Sequence, residues 1–240
     1  MNGDTGSDWN HHAGWWLAEV EDPIYRSDVV PLLDRLVDGI AGTLVDLGCG
    51  EGQVMARYPG RVIGCDISRD LLRRAALRGP VVRAELPDLR WLQTDSIDGA
   101  YMVLVIEHLE TLAIMEAAAR VVRPGGALVL VMNHPAFTAA GSGPIVDESD
   151  GEVLWRWGDY FNAGRTVMPT PSGGVAFYHR PLARVLNTAA AAGWMLADFL
   201  ETGLSKTALA TEPGYVGQEQ MPRLLGARWM NTQGIRGVGR

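Results

Sequence analysis

Several kinds of residue are scarce in this chain, and each scarcity removes a class of protein. Two cysteines in 240 residues cannot build a disulfide framework, and no Cys/His cluster has zinc spacing. No apolar run approaches the roughly 20 residues that a bilayer demands; the stretch 127–132 is typical of the longest. The first residues (M-N-G-D-T-G-S-D-W-N) carry neither a basic nor an apolar segment, so no signal peptide is expected and the expected location is the cytoplasm. Positive charge is also short: 21 Lys and Arg stand against 28 Asp and Glu, for a formal charge of −7. General binders of nucleic acid or of anionic membranes show a basic face, so neither partner is expected. Lys206 is the only lysine, and its neighbours (L-S-K-T-A) include no base, which sets aside a lysine nucleophile. Apolar residues reach 47%, enough for a core in a single domain.

What is present is an alternation. Strand-like apolar runs at 43–47, 61–65, 81–84, 99–105 and 127–132 are separated by helical stretches at 53–58, 69–78 and 111–122, with Ser68 as an N-cap. Such alternation predicts a parallel, doubly wound α/β sheet. A helix at 181–192 and strands at 194–201 and 224–230 follow. Ahead of the alternation lie two helices, 14–21 with Trp15 and Trp16, and 28–40, so residues 1–40 read as a helical lid on a domain spanning 41–240. Residues 1–13, with His11 and His12, and the last ten residues are expected to be loose. The segment 133–180, rich in Gly, Pro and aromatics, shows no clear period and reads as a lid or small subdomain that binds the acceptor.

The chemistry concentrates at the first strand-to-helix turn, V-D-L-G-C-G-E-G at 45–52. Gly48, Gly50 and Gly52 let backbone approach a ligand closely. Asp66 ends the second strand, where a carboxylate accepts hydrogen bonds from both hydroxyls of a ribose. The spacing G-x-G-x-G departs from the dinucleotide fingerprint G-x-G-x-x-G. Asp46 and Glu51 would repel a pyrophosphate but suit an ammonium and a sulfonium. A nicotinamide-binding domain with an aberrant turn is the alternative. Here the sequence resembles the class I S-adenosylmethionine-dependent methyltransferases, most clearly over 41–132. A-E-L at 84–86, S-I-D at 96–98, V-I-E-H-L at 105–109 and R-P-G-G at 123–126 follow in that family's order.

The resemblance implies a Rossmann-like sheet of seven strands, mostly parallel with one antiparallel, and S-adenosylmethionine as cofactor. It assigns cofactor contacts to Asp46, Gly48, Cys49, Gly50, Asp66, Ile67, Ala84, Glu85, Leu86 and Val105. Trp16 is expected over the cofactor, and Tyr25 or Arg26 at its carboxylate. Cys49 and Cys65 also read as small apolar filler, and Glu51 and Gln53 as solvated helix-start residues.

No N/D-P-P-Y/F motif follows the fourth strand, which disfavours a nucleic-acid amino group as acceptor and favours a small molecule. A second resemblance, carried by M-N-H-P-A-F at 132–137, W-R-W at 155–157, Tyr160 and Y-H-R-P-L at 178–182, is to actinobacterial sugar O-methyltransferases of the methylmannose polysaccharide type. It implies a sugar or sugar-like hydroxyl acceptor. The aromatic and polar residues of the insertion suit a sugar or a polyketide-like ring, or else close the core under a long loop. Glu107, Trp155, Tyr160, Tyr178 and His179 are the expected acceptor contacts. His134, just past the fifth strand, is the expected base, with His108 as second choice. Glu107 with His108 could also hold a divalent ion such as Mg2+. A homodimer, an N- or C-methyltransferase of natural products and a non-catalytic cofactor binder stay open.

Overall fold

In the computed structural model, residues 9–233 are described. The expected loose segments therefore fall partly outside the described residues, at 1–8 and 234–240. The chain opens with helix α1 (Trp9–Glu21), a π-turn at Tyr25–Val29 and helix α2 (Val30–Val37). Strands β1 (Leu44–Leu47) and β2 (Val62–Asp66) lead to α3 (Arg69–Ala75), whose N-cap Ser68 accepts from the Leu71 amide at 3.3 Å. Strands β3 (Val81–Arg83) and β4 (Ile97–Val103), helix α4 (Ile114–Val121) and strand β5 (Val122–Asn133) complete the first half. After the short α5 (Pro135–Thr138) come two hairpins, β6 (Gly143–Val146) with β7 (Val153–Arg156) and β8 (Gly164–Thr170) with β9 (Gly173–His179). Helix α6 (Leu182–Ala191), strand β10 (Trp194–Thr202), helix α7 (Lys206–Thr211) and strand β11 (Leu224–Asn231) close the chain.

Seven strands form one sheet in the order β10-β11-β5-β4-β1-β2-β3. Strand β11 runs antiparallel to both its neighbours and the rest are parallel, as expected. Because neighbouring side chains of a strand point to opposite faces, the central strands feed two cores. Val45, Leu47 and Met102 pack toward α4 and α6, while Leu44, Tyr101 and Val103 pack toward Leu33 and Leu36 of α2. Helix α2 is therefore core, whereas α1 overlies the sheet's carboxyl edge, where open α/β folds bind ligands. Among the described residues no helix is long and apolar enough to cross a membrane.

Four local expectations need correction. The helix expected at 53–58 is a single 3-10 turn, Met55–Arg57, because Pro59 and Gly60 follow too soon for a second turn. Strand β4 ends at Val103, not at 105, and Ile106–His108 forms a 3-10 turn. Strand β5 begins at Val122, not at 127, with the R-P-G-G segment looped out of it: pairing jumps from Ile97↔Val122 to Gly99↔Ala127. Helix α1 starts at Trp9, so His11 and His12 are helical, and His12 is buried with Nδ1 2.8 Å from the Ser172 hydroxyl.

Candidate functional site

The β1–β2 edge builds the first part of the site. Gly48 and Gly50 hold φ of +82° and +53°, which side chains disfavour, and there is no room for one. A Cβ on Gly48 would lie 2.6 Å from Val105 Cγ2, and one on Gly50 would lie 2.8 Å from Trp16 Nε1. The Gly48 and Cys49 amides both donate to the Cys65 carbonyl at 2.9 Å, which pins the turn to β2. Asp66, at the end of β2, accepts from the Gly50 amide (2.9 Å) and the Ser68 amide (2.7 Å). Burial pushes its carboxyl above the usual range, and the two amides oppose that. Each oxygen keeps a lone pair for a further donor.

Beside the turn sits a group of acids. Asp46 is 3% exposed, and burial raises its carboxyl well above the usual range, with Asp66 and Glu51 pushing the same way. Glu51 is not a solvated helix-start residue. It is 4% exposed, accepts from Trp16 Nε1 (3.1 Å) and the Gln53 amide (3.1 Å), and pairs with Arg78 at 3.6 Å. It therefore fastens α1 to the turn. Tyr25 is buried against Asp46 and Glu51 in a small recess next to the turn, whereas Arg26 is exposed. A cation rather than an anion suits this recess.

From the turn, a cleft of about 280 Å³ runs along the sheet edge. Gly48, Gly50, Asp66 and Ile67 line one end, with Ala84, Glu85 and Leu86 beside them. Val105, His108, Leu109 and Glu110 line the other, Trp9 and Trp16 of α1 form the roof, and Tyr178 of β9 closes the side. Trp9, Leu104, Leu109 and Glu110 were not foreseen. Trp9 had a signal: Trp9, Ala13, Trp16 and Val20 form one helical stripe. Leu104 had none; it holds φ +55°, a left-handed conformation rare for leucine, at the lip of the cleft.

His108 stands between the β4 edge and the second hairpin. Its Nδ1 lies 2.9 Å from the Ala176 carbonyl of β9, and its ring meets Trp9 and Phe177 edge-on, with centroids at 5.0 and 5.3 Å. A nitrogen facing a carbonyl must donate, so Nδ1 carries the proton and Nε2 keeps a lone pair. Burial lowers the pKa from the ordinary 6.5, against the opposing pull of Glu107. Burial thus favours the neutral ring.

His134 does not line the cleft. It is 5% exposed, its Nδ1 accepts from the Ala136 amide (3.1 Å) as the cap of α5, and its Nε2 meets Glu201 at 2.7 Å. Both nitrogens are occupied. His179 is likewise engaged, by the Thr138 hydroxyl (2.9 Å) and the Tyr160 carbonyl (2.8 Å). Trp155 stacks on Phe137 and donates to the Ala136 carbonyl at 3.2 Å, and the Tyr160 hydroxyl accepts from the Leu182 amide at 3.3 Å. These residues hold the hairpin subdomain together and, of the expected acceptor set, only Tyr178 reaches the cleft. Glu107 is 1% exposed and accepts from the Asn133 amide and side chain at 3.2 and 2.9 Å. Glu107 and His108 thus engage different partners, and among the described residues no group of three or more His, Cys, Asp or Glu is gathered for a metal.

A family described as a methyltransferase domain matches residues 45–130. A trans-aconitate 2-methyltransferase from Azoarcus sp. (strain BH72) is 33% identical over 159 residues, covering 63% of this chain and 60% of that one. A ubiquinone biosynthesis O-methyltransferase from Xanthomonas oryzae pv. oryzae is 30% identical over 130 residues, covering 48% of this chain and 54% of that one. The chain thus spans less than two thirds of these relatives. An S-adenosylmethionine-dependent methyltransferase structure from Mesorhizobium loti superposes with a TM-score of 0.73 at 27% identity, covering 83% of this chain and 96% of that one. None of these relatives carries the methylmannose polysaccharide assignment. The residues present fit S-adenosylmethionine: the side-chain-free cradle at Gly48 and Gly50, the strand-end Asp66, and a recess of acids for a cationic end.

Proposed function

We propose that this chain, which carries a class I S-adenosylmethionine-dependent methyltransferase domain, is an enzyme that methylates an oxygen of a small molecule, with His108 as the group that takes the acceptor's proton. S-adenosylmethionine supplies a methyl group already activated on a sulfonium. The protein's share is alignment, exclusion of water and a proton acceptor. Asp66 would hold the ribose and residues 84–86 the adenine side, while Asp46, Glu51 and Tyr25 line the recess for the cationic end. Trp9 and Trp16 roof the cleft and keep it dry.

The observation that carries the reading is His108 on the wall of the cleft that the glycine turn opens, with its Nδ1 held 2.9 Å from the Ala176 carbonyl. A hydroxyl turning into an ether must lose its proton, and a lone pair on Nε2 accepts it. The ring faces of Trp9 and Tyr178 with Glu110 as a hydrogen-bond acceptor suit a ring-bearing or sugar-like hydroxyl compound. Calorimetric titration with S-adenosylhomocysteine tests the cofactor half. Wild type should bind, and Asp66→Ala should bind roughly 10- to 100-fold more weakly through loss of charge-assisted hydrogen bonds. Failure of wild type to bind ends the reading. Unchanged turnover of a hydroxyl acceptor by His108→Ala ends the role given to His108.

A further inference from the structure

We infer that the acceptor is uncharged or cationic, and that the cleft turns away acceptors bearing carboxylates. This rests on the methyl-transfer reading above and narrows its substrate. Among the described residues, the charged side chains lining the cleft are Asp66, Glu85 and Glu110, and no Lys or Arg lines it. Three guanidiniums of flanking elements are committed to other partners. Arg180, behind Tyr178, is buried and donates to the carbonyls of Ile106 (3.0 Å), Tyr178 (3.4 Å) and Leu109. Arg83 donates to the Ile67 carbonyl at 3.0 Å, and Arg78 pairs with Glu51 at 3.6 Å. The roof offers no cation either: the first Lys or Arg of the whole sequence is Arg26, which is exposed.

A carboxylate entering such a cleft sheds its hydration and meets no guanidinium to replace it, so its desolvation is not offset. Glu110, the lining acid beside His108, adds repulsion. The aromatic lining supplied by Trp9 and Trp16 favours an apolar ring or a cation instead. One relative is named for trans-aconitate, a tricarboxylate, so the present chain departs from that relative's acceptor by charge.

The experiment uses the full chain. Calorimetry first establishes S-adenosylhomocysteine binding. Trans-aconitate is then titrated into the saturated protein, and methyl transfer from labelled S-adenosylmethionine is followed with three matched phenols: tyrosol (neutral), tyramine (cationic) and 4-hydroxyphenylacetate (anionic). Trans-aconitate should not bind at millimolar concentration, and the anionic phenol should react at least about ten-fold more slowly than the faster of the other two. Glu110→Lys, once seen to bind S-adenosylhomocysteine, should bind trans-aconitate at least about five-fold better than wild type. Binding or methylation of trans-aconitate by wild type, parity of the anionic phenol, or no gain in Glu110→Lys overturns the inference. Silence of all three phenols would count against the methyl-transfer reading, and the trans-aconitate titration would still decide the charge.

Discussion

The two halves of the cleft are built by different means. On the cofactor side, the parts lie close in the chain: the turn at 48–52, Asp66 at the end of the next strand, and residues 84–86 after the one beyond. Their placement follows from backbone conformation and strand pairing. On the acceptor side, the decisive hydrogen bond joins His108 to Ala176, 68 residues away, and the roof comes from Trp9. The same residue type behaves differently in the two settings. His108 donates through Nδ1 and keeps Nε2 free, whereas His134 accepts at Nδ1 and donates from Nε2, which leaves it nothing to offer a substrate. Position at the sheet edge does not decide what a histidine can offer; its hydrogen-bond partners do.

The sharpest test of that contrast is a pair of variants. His108→Ala should lower kcat by about 10²- to 10⁴-fold, the usual worth of a general base, with S-adenosylhomocysteine affinity changed only a few-fold. An equal loss in His134→Ala would erase the distinction. Next in size is Gly48→Ala. A φ of +82° and a Cβ 2.6 Å from Val105 Cγ2 combine strain of about 1–3 kcal/mol with a clash, so S-adenosylhomocysteine should bind about 100-fold more weakly. Adding Val105→Ala should restore part of that loss by removing the clash but leaving the strain. No recovery would mean that backbone conformation alone sets the requirement. Smaller still, His134→Ala removes the α5 cap and the Glu201 contact, so chemical denaturation should report a loss of about 1–2 kcal/mol. Its kcat should stay near wild type.

The sequence reads well where function is local. The glycine turn, Asp66, A-E-L at 84–86 and the order of strands and helices followed from spacing and resemblance, because each depends on neighbours within one strand–turn unit. It reads poorly where the partner is distant. Nothing near Glu107 announces that Asn133 will occupy it, and nothing near Trp155 or His179 announces Ala136, Thr138 or Tyr160 as partners. These residue types look like a binding set because they are polar and aromatic, yet the two hairpins use them to replace a core they are too small to bury. Glu51 misled in the other direction, since only the arrival of Trp16 from α1 makes it an interior anchor.

The smallest expected effect concerns pH, and it separates the two histidine settings in another way. Burial is the larger influence on His108 and lowers its pKa from 6.5, while Glu107 pulls it back only in part. A base with a depressed pKa stays neutral, and so competent, below the pH at which a free histidine would be half protonated. With S-adenosylmethionine and acceptor saturating, kcat should therefore change by less than about two-fold between pH 7 and 8 and decline only below pH 6.5. Glu107→Gln removes a neighbouring charge that favours the imidazolium, so it should move the acid limb to still lower pH and leave the plateau in place. An acid limb above pH 7 in wild type would require the protonated ring to be favoured, which the packing of Trp9 and Phe177 against it opposes. That result would transfer the proton-accepting role to some other group in the cleft.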